Sequence, residues 1–156
     1  MFESGSYVAR ELESAGADLD AEQVQPNGVD LTVGEVLEQT EPGTIGRDGK
    51  TVGEREPVPG EVRFRLQPGY YVVEYGEPVR IPEGHVGFVY PRSSLLRNSC
   101  MLNTAVWDAG YEGVGEGLLQ VGHPITIERD ARIAQLVLAE AGHEGTYDGD
   151  YQGEGL

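Results

Sequence analysis

Arginines, which are scarce in this chain, lie beside two serines near its middle. Arg92, Ser93 and Ser94 follow a predicted strand, and Arg97 comes three residues later, so a short helix or turn is expected to begin at the serines. Guanidinium groups, hydroxyls and the free backbone N–H groups of a helix start together form an anion site. A serine that only caps a helix, stabilising it by about 1 kcal/mol, gives the same pattern. These residues therefore leave phosphate binding and helix capping as alternatives.

An aspartate lies in a tight turn further along the chain. Asp108 is part of the stretch "VWDAGYEG", between two predicted strands. At the mouth of a hairpin its carboxylate could orient and deprotonate a water that attacks phosphorus, although Asp-Ala-Gly is also an ordinary turn sequence. Tyr111, three residues later, could stack on the face of a sugar or be an ordinary cross-strand aromatic.

A glutamine lies within a predicted apolar strand. Gln135 belongs to the segment 132–140, whose imperfect alternation indicates a strand buried on both faces. A glutamine in such a strand must find a hydrogen-bond partner, which either the protein core or a ligand could supply.

The cysteine and histidine content excludes several kinds of site. Cys100 is the only cysteine, so the chain can form neither an internal disulfide nor a thiolate zinc cage. A zinc-type deaminase needs H-x-E together with P-C-x-x-C, which one cysteine cannot supply. The histidines are far apart in the sequence and form no ligand pair: His85, His123 and His143. We therefore expect no metal site built from protein side chains.

The charge of the chain excludes further classes of partner. Its net charge of −16 comes from 27 acidic residues against 11 basic ones, and Lys50 is the only lysine. Such a surface repels nucleic acid and anionic membranes. Evenly spread acidic residues with almost no lysine are typical of proteins adapted to high salt. There the repulsion between these charges is screened, because the Debye length falls to about 3 Å at 1 M salt. An acidic protein of ordinary cytosol is the alternative. Without a signal peptide or a span of ~20 apolar residues, we expect a cytoplasmic protein.

A fold of many short strands must position these residues. The chain has 156 residues, the size of one domain, and its 23 glycines and nine prolines suit short strands and turns better than long helices. We expect a mostly β fold, either a barrel or a double-sheet jelly roll, with a short N-terminal helix. Residues 24–36 are predicted to form a Pro-Asn-Gly turn followed by a half-buried strand at Val29, Leu31 and Val33. Further strands are predicted at 62–66, 70–75, 85–90, 117–121, 125–128 and 132–140.

Three segments flank or interrupt these strands. Residues 1–24 are predicted to contain the short helix, capped by Ser6. Residues 39–60 are rich in glycine, proline and charge, and we predict a protruding loop or hairpin with a turn at Asp48-Gly49. Residues 141–156 are acidic and glycine-rich, which indicates a mobile C-terminal tail.

Five motifs in this order resemble the dUTPase and dCTP deaminase superfamily, and specifically its archaeal dUTPase branch. They cover most of the chain as one domain: "QPNGVDLTVGE" (25–35), "PRSSLLR" (91–97), "TAVWDAGYEG" (104–113), "RIAQLVL" (132–138) and "YDGDYQGEG" (147–155). The resemblance implies a distorted jelly roll of the dUTPase-like β-clip type, assembled as a homotrimer with active sites at subunit interfaces. It also implies that dUTP is hydrolysed to dUMP and diphosphate with Mg²⁺ carried mainly by the triphosphate. This reaction limits uracil in DNA and feeds thymidylate synthesis.

The matched positions divide into a phosphate group and a base group. The resemblance implies that the phosphate chain is contacted by Arg92, Ser93, Ser94 and Gln135. It implies that the pyrimidine edge is read by the backbone of Thr104, Ala105, Val106 and Trp107. Asp108 would then position the attacking water, and Tyr111 would lie under the deoxyribose and exclude a 2′-hydroxyl.

Two other motifs contribute residues by resemblance. Asp30 matches an acidic position of the first motif. Tyr151 and Gln152 belong to the last motif, where they either close over the nucleotide or form part of a frayed chain end.

The same superfamily offers an alternative reaction, because its dCTP deaminases shuttle protons with a glutamate in the strand after the hairpin. Counting from Asp108 without gaps places Leu118 at that position, and leucine moves no proton. Glu116 would share the strand face of Leu118 at a distance of roughly 6–7 Å, and a gap in the hairpin would bring it into the catalytic position. Arg97 and the tail motif also match the deaminases. A dCTP deaminase, or a bifunctional deaminase and dUTPase, is therefore the alternative.

Overall fold

The computed structural model describes all 156 residues. It contains two α-helices, α1 (Gly5–Ser14) and α2 (Ser93–Arg97), and a 3₁₀ turn at Ala21–Gln23. At ten residues α1 is the longest helix, and no helix is long and apolar enough to cross a bilayer. The strands are β1 (Val24–Gln25), β2 (Gly28–Gln39), β3 (Thr44–Ile45), β4 (Lys50–Thr51), β5 (Arg55–Pro57), β6 (Arg63–Leu66), β7 (Gly69–Tyr75), β8 (Val79–Arg80), β9 (His85–Pro91), β10 (Cys100–Asn103), β11 (Glu112–Gly113), β12 (Glu116–Val121), β13 (Ile125–Glu128) and β14 (Arg132–Glu140).

One antiparallel sheet organises the molecule. Its strands follow the order β10-β12-β7-β2-β14-β9, and β1 and β5 add to β2. The two end strands approach each other, and Gly87 of β9 exchanges both backbone hydrogen bonds with Trp107, at 2.8 and 3.2 Å. The sheet is therefore nearly closed, which confirms the prediction of a mostly β, barrel-like fold.

The central strand β2 is buried along most of its length. Its apolar residues alternate as predicted, and α1 packs on it through Val8 and Leu12, both fully buried. The intervening polar residues Asp30 and Thr32 are also buried, at 1% and 9% exposure. Because buried polar groups need partners, β2 brings polar side chains from other strands to its surface.

The cap of the N-terminal helix lies two residues earlier than expected. Ser4 has extended backbone angles (φ −71°, ψ 156°), and its hydroxyl accepts a hydrogen bond from the Tyr7 N–H at 3.3 Å. Ser6 lies inside the first turn, where its backbone is already helical, so the prediction of a Ser6 cap is wrong.

The predicted protruding segment is a hairpin followed by a short return strand. Strands β3 and β4 pair, and the Gly46 N–H donates to the Gly49 carbonyl at 2.8 Å around the expected Asp48-Gly49 turn. Strand β5 then returns to the main sheet, where Arg55 pairs with Gln39. This pairing brings the Arg55 side chain back towards the centre of the molecule.

The tail, residues 141–156, contains no helix or strand but packs against the loop after β10. The Tyr147 N–H donates to the Ala109 carbonyl at 2.7 Å, and the Val114 N–H donates to the Glu154 carbonyl at 2.7 Å. Lys50 Nζ also lies 3.2 Å from the Asp150 carboxylate. These contacts give the tail a defined docked position, and its mobility stays a prediction.

Candidate active site

The loop between β10 and β12 forms one wall of a pocket of about 130 Å³. Predicted residues make up most of its lining: Ala105, Val106, Trp107, Asp108, Tyr111 and Glu116. Gly115, Tyr147 and Glu154 complete it. The structure therefore gathers three of the four predicted base residues, the aspartate and the disputed glutamate at one place, whereas Thr104 lines an adjoining cavity.

Aromatic rings form the floor of this pocket. The Trp107 and Tyr111 rings meet edge to face at 5.2 Å, and Tyr111 and Tyr147 do the same at 5.5 Å. Gly115 lies under the indole, where a Cβ atom would come within 2.2 Å of the Trp107 ring. Any larger residue at position 115 would displace the tryptophan, so this glycine is needed for the packing of the floor.

The backbone of the pocket loop is only partly used inside the chain. Trp107 gives both its backbone groups to Gly87, whereas the N–H groups of Ala105 and Val106 have no partner in the chain. The Thr104 hydroxyl donates to the Val89 carbonyl at 3.2 Å. The unpaired N–H groups next to the pocket are therefore free to bind a ligand.

The Asp108 carboxylate is exposed at the pocket mouth and makes no hydrogen bond or ion pair with the protein. Its backbone is held firmly, because the Tyr111 N–H donates to the Asp108 carbonyl at 3.2 Å. Gly110 adopts φ +90°, which favours glycine, and donates to the Ile81 carbonyl at 2.8 Å. The turn thus presents an unpaired carboxylate from a fixed position.

The tail contributes an acid to the pocket. Tyr111 is 6% exposed, and its hydroxyl donates to Glu154 Oε1 at 2.9 Å. Burial raises the pKa of Tyr111, and the bond to Glu154 raises it further. Burial also raises the pKa of Glu154, and the nearby negative charge of Glu116 adds to the shift, whereas the bond from Tyr111 opposes it. The pair is therefore most stable with a neutral tyrosine.

An arginine holds the disputed glutamate. Arg55 Nη1 and Nη2 donate to Glu116 Oε2 and Oε1 at 2.6 and 2.8 Å, a forked pair that uses both carboxylate oxygens. Strand β12 keeps an unbroken register with both neighbours, so Leu118 pairs with Asn103 on one side and Val72 on the other. Leu118 faces an adjoining cavity, and it is Glu116 that reaches the pocket beside Asp108.

A second cluster surrounds Asp30, on the phosphate side of the prediction. Asp30 Oδ2 lies 3.1 Å from Arg92 Nε and 3.3 Å from Arg132 Nη1, and accepts a hydrogen bond from Gln25 at 3.2 Å. Burial raises the pKa of Asp30, although both arginines act in the opposite direction. The carboxylate orients Arg92 at the start of α2.

The other predicted phosphate residues are exposed or free of partners. Arg92, not a serine, occupies the N-cap position of α2, so helix capping does not explain Ser93 and Ser94. Arg97 is exposed and makes no ion pair with the protein. The Gln135 side chain makes no hydrogen bond in the chain and packs over Gly28, where a Cβ would come within 2.8 Å of its amide nitrogen.

The structure does not bring all predicted residues together. Asp108 lines two of the five main cavities, and neither of these two contains Arg92 or Ser94. Gln152 bridges the Gly110 carbonyl and the Glu112 N–H at 2.9 and 3.0 Å, outside the pocket. The Tyr151 ring lies 4.5 Å from the ammonium group of the only lysine. A single chain therefore carries the base group and the phosphate group at separate places.

Sequence reasoning missed Arg55, which holds the pocket residue Glu116, and three residues that line the pocket: Gly115, Tyr147 and Glu154. The last two belong to the tail motif, so the motif itself was a signal that the tail reaches the site. Arg55 is 61 residues from Glu116 in a segment without any motif, and no pattern in the sequence links the two.

Comparison with known proteins connects this architecture to one family. The family model described as dCTP deaminase-like matches residues 4–141. A probable deoxyuridine 5′-triphosphate nucleotidohydrolase of Halobacterium salinarum is 59% identical over 161 residues, which cover 99% of this chain and 95% of that relative. The deoxyuridine 5′-triphosphate nucleotidohydrolase of Methanocaldococcus jannaschii is 39% identical, over 87% of this chain and 91% of that one.

A solved structure agrees at the level of the fold. The 2′-deoxycytidine 5′-triphosphate deaminase of Agrobacterium tumefaciens superposes with a TM-score of 0.70 at 20% identity and covers 90% of this chain. The match spans 48% of that deaminase, so this chain is about half as long as the structure it resembles. With a family model over most of its length and relatives at up to 59% identity, the chain belongs to the dCTP deaminase-like family.

Proposed function

We propose that the protein is a dUTP diphosphatase, which hydrolyses dUTP to dUMP and diphosphate with Mg²⁺. The observation that carries this proposal is the unpaired Asp108 carboxylate, held by a rigid turn at the mouth of a pocket floored by Trp107 and Tyr111. The names of the two archaeal relatives support the choice of substrate.

The pocket wall supplies groups that fit a pyrimidine nucleoside. The free N–H groups of Ala105 and Val106 can donate to carbonyl oxygens of a uracil ring. Trp107 is committed to Gly87, so reading of the base falls to the residues before it. The Tyr111 ring offers a flat apolar surface for the deoxyribose. A site that hydrogen-bonds one base edge can reject another base by roughly 10⁴-fold.

Asp108 is the group that handles the water. Its carboxylate has no competing partner, so it can accept a hydrogen bond from a water molecule and thereby orient a lone pair of the water oxygen towards the substrate phosphorus. As the new P–O bond forms, the carboxylate takes up the proton that the water loses. The diphosphate then leaves from the far side of the phosphorus. In this mechanism Asp108 acts on the water and forms no covalent bond with the substrate.

The donor set fits a Mg²⁺ ion that arrives with the triphosphate. Magnesium keeps several waters and takes phosphate oxygens as ligands, so the triphosphate would carry most of its coordination. Asp108, the one pocket acid without a hydrogen bond or ion pair, would meet the ion through a water molecule. When bound, the ion neutralises phosphate charge and polarises the phosphorus. Arg92, Ser93, Ser94 and Gln135 would contact the remaining phosphate oxygens.

A homotrimer would complete the site. None of the predicted phosphate residues lines the pocket of Asp108, and Ser94 lines a separate cavity. A second chain must therefore bring its phosphate group to the pocket of the first if both groups are to act on one nucleotide. This arrangement agrees with the interface sites that the sequence resemblance implies. In the cell the reaction would limit uracil in DNA and provide dUMP for thymidylate synthesis.

Glu116 favours one alternative, a dCTP deaminase or a bifunctional enzyme, because it lines the same pocket as Asp108. Incubation with dCTP and Mg²⁺ separates the two functions. Ammonia release that disappears in Glu116→Gln identifies the deaminase, whereas diphosphate release from dUTP without ammonia from dCTP identifies the diphosphatase.

Replacement of Asp108 tests the main proposal. Asp108→Asn should lower diphosphate release from dUTP by about 100-fold or more, because the amide cannot take the proton of the water. Circular dichroism should be unchanged. Asp48→Asn, at the exposed tip of the β3–β4 hairpin, is the matched control and should retain full turnover. Unchanged turnover by the Asp108 variant would refute the assignment.

A further inference from the structure

Three glutamates lie side by side across the sheet next to the pocket. Glu74 of β7 pairs with Glu35 of β2 and with Glu116 of β12, so the three side chains form a row across adjacent strands. Like charges at directly opposed positions destabilise a sheet. Arginines lie at both ends of the row: Arg129 pairs with Glu35 at 2.9 Å, and Arg55 pairs with Glu116. The two arginines offset the repulsion, but only the second lies at the pocket.

The pair of Arg55 and Glu116 fixes the position of the glutamate. Both carboxylate oxygens accept from the guanidinium fork, and the two side chains are only 22% and 30% exposed. Arginine presents its donors in a rigid planar fork, so the pair fixes the orientation of the carboxylate. The remaining lone pairs of Glu116 can accept a hydrogen bond from a ligand in the pocket.

We propose that Arg55 is a positioning residue that determines base specificity, by holding the Glu116 carboxylate as a fixed hydrogen-bond acceptor in the pocket. This inference deepens the proposed function and rests on it. A ring N–H can donate to such an acceptor, whereas a bare ring nitrogen is repelled by it. Uracil carries a hydrogen on N3 and neutral cytosine carries a lone pair there, so the pair favours dUTP over dCTP.

Selectivity between two nucleotides is the quantity that tests this role. We would measure kcat/KM for diphosphate release from dUTP and from dCTP with the full-length protein. Arg55→Gln should lower the ratio of the two values by roughly tenfold or more, since a hydrogen bond to a charged group contributes that much. Arg129→Gln is the matched control, because it breaks a similar forked pair in the same glutamate row away from the pocket, and the ratio should stay unchanged.

A double variant shows whether Arg55 acts through Glu116. Glu116→Gln should lower the ratio as Arg55→Gln does, and the combined variant should lower it no further, because both changes remove one fixed acceptor.

Two results would overturn the inference: an equal change of both kcat/KM values in Arg55→Gln, or an unchanged ratio in Glu116→Gln. Failure of the proposed function is distinguishable, because it appears as absent turnover of dUTP by the wild-type protein. In that event the ratio of dissociation constants for dUTP and dCTP, measured by calorimetry on Asp108→Asn with and without Arg55→Gln, still decides the role of Arg55. If Arg55→Gln does not fold, Glu116→Gln tests the pair from its other side.

Discussion

Tyr111 and Glu154 are joined by a hydrogen bond of 2.9 Å from the phenol to the carboxylate, and this bond ties the tail of the chain to the floor of the pocket. The backbone of the same glutamate accepts from the Val114 N–H at 2.7 Å. The docked tail therefore forms part of the pocket wall, and the protonation of one side chain influences how firmly it is held.

Docking of the tail should weaken as the pH rises. Burial raises the pKa of Glu154 in the docked state above its ordinary value of 4.5, so the docked state favours the protonated form. The stabilisation is thus complete below that ordinary value and is lost as the pH passes through the raised one. Hydrogen exchange of the Val114 and Gly153 amides, corrected for the intrinsic effect of pH, should show decreasing protection in the wild type. Glu154→Gln should show constant protection, and the same pH dependence in both proteins would contradict this account.

Asp30→Asn should destabilise the protein and weaken nucleotide binding. The carboxylate is 1% exposed and is the shared partner of Arg92 and Arg132, so its neutral replacement leaves two guanidinium groups without their counter-charge. We expect the free energy of unfolding in urea to fall by about 2 kcal/mol. The KM for dUTP should also rise, because Arg92 loses its orientation.

The matched control for Asp30 is Glu22→Gln. Glu22 lies 3.9 Å from Arg132 and is 85% exposed, so the free energy of unfolding should change by less than about 0.5 kcal/mol. An effect as large as that of Asp30→Asn would show that the charge of the cluster matters and the buried position does not.

Tyr75→Phe should stabilise the protein. The Tyr75 hydroxyl is buried without any hydrogen-bond partner, and burial strongly raises the pKa of the phenol. Removal of this unpaired group should raise the free energy of unfolding by about 1 kcal/mol, measured in urea. Tyr71→Phe serves as the comparison, because the Tyr71 hydroxyl donates to the Gln67 carbonyl at 2.9 Å and its loss should destabilise instead. A loss of stability in Tyr75→Phe would contradict the prediction.

Local patterns, with the family resemblance, were enough to predict the longer strands of the fold and six of the nine residues that line the pocket. Alternating apolar residues and turn sequences indicate strands because burial on one face and chain reversal are local properties. Asp108 and Tyr111 were predictable for the same reason, since one tight turn of a few residues positions both.

Contacts between distant segments were beyond such reasoning. The position of Arg55 depends on the β3–β4 hairpin and on the pairing of β5 with β2, and only then does its side chain meet Glu116. Likewise, the docking of Glu154 depends on a tail without regular structure, whose path no periodicity describes. The cap at Ser4 instead of Ser6 shows the same limit for helix boundaries. Both serines are suitable caps by residue type, and only the backbone angles, extended at Ser4 and helical at Ser6, decide which of them caps the helix.

The contact of Lys50 with Asp150 and with the Tyr151 ring joins the hairpin to the docked tail. Because this chain has no other lysine, reagents selective for side-chain amines would modify one position of the folded protein, apart from the terminal amine. A fluorophore attached there would lie at the junction between the β3–β4 hairpin and the docked tail. The amino-acid composition that gives the protein its acidic surface thus also provides a natural single-site label for following the tail in solution.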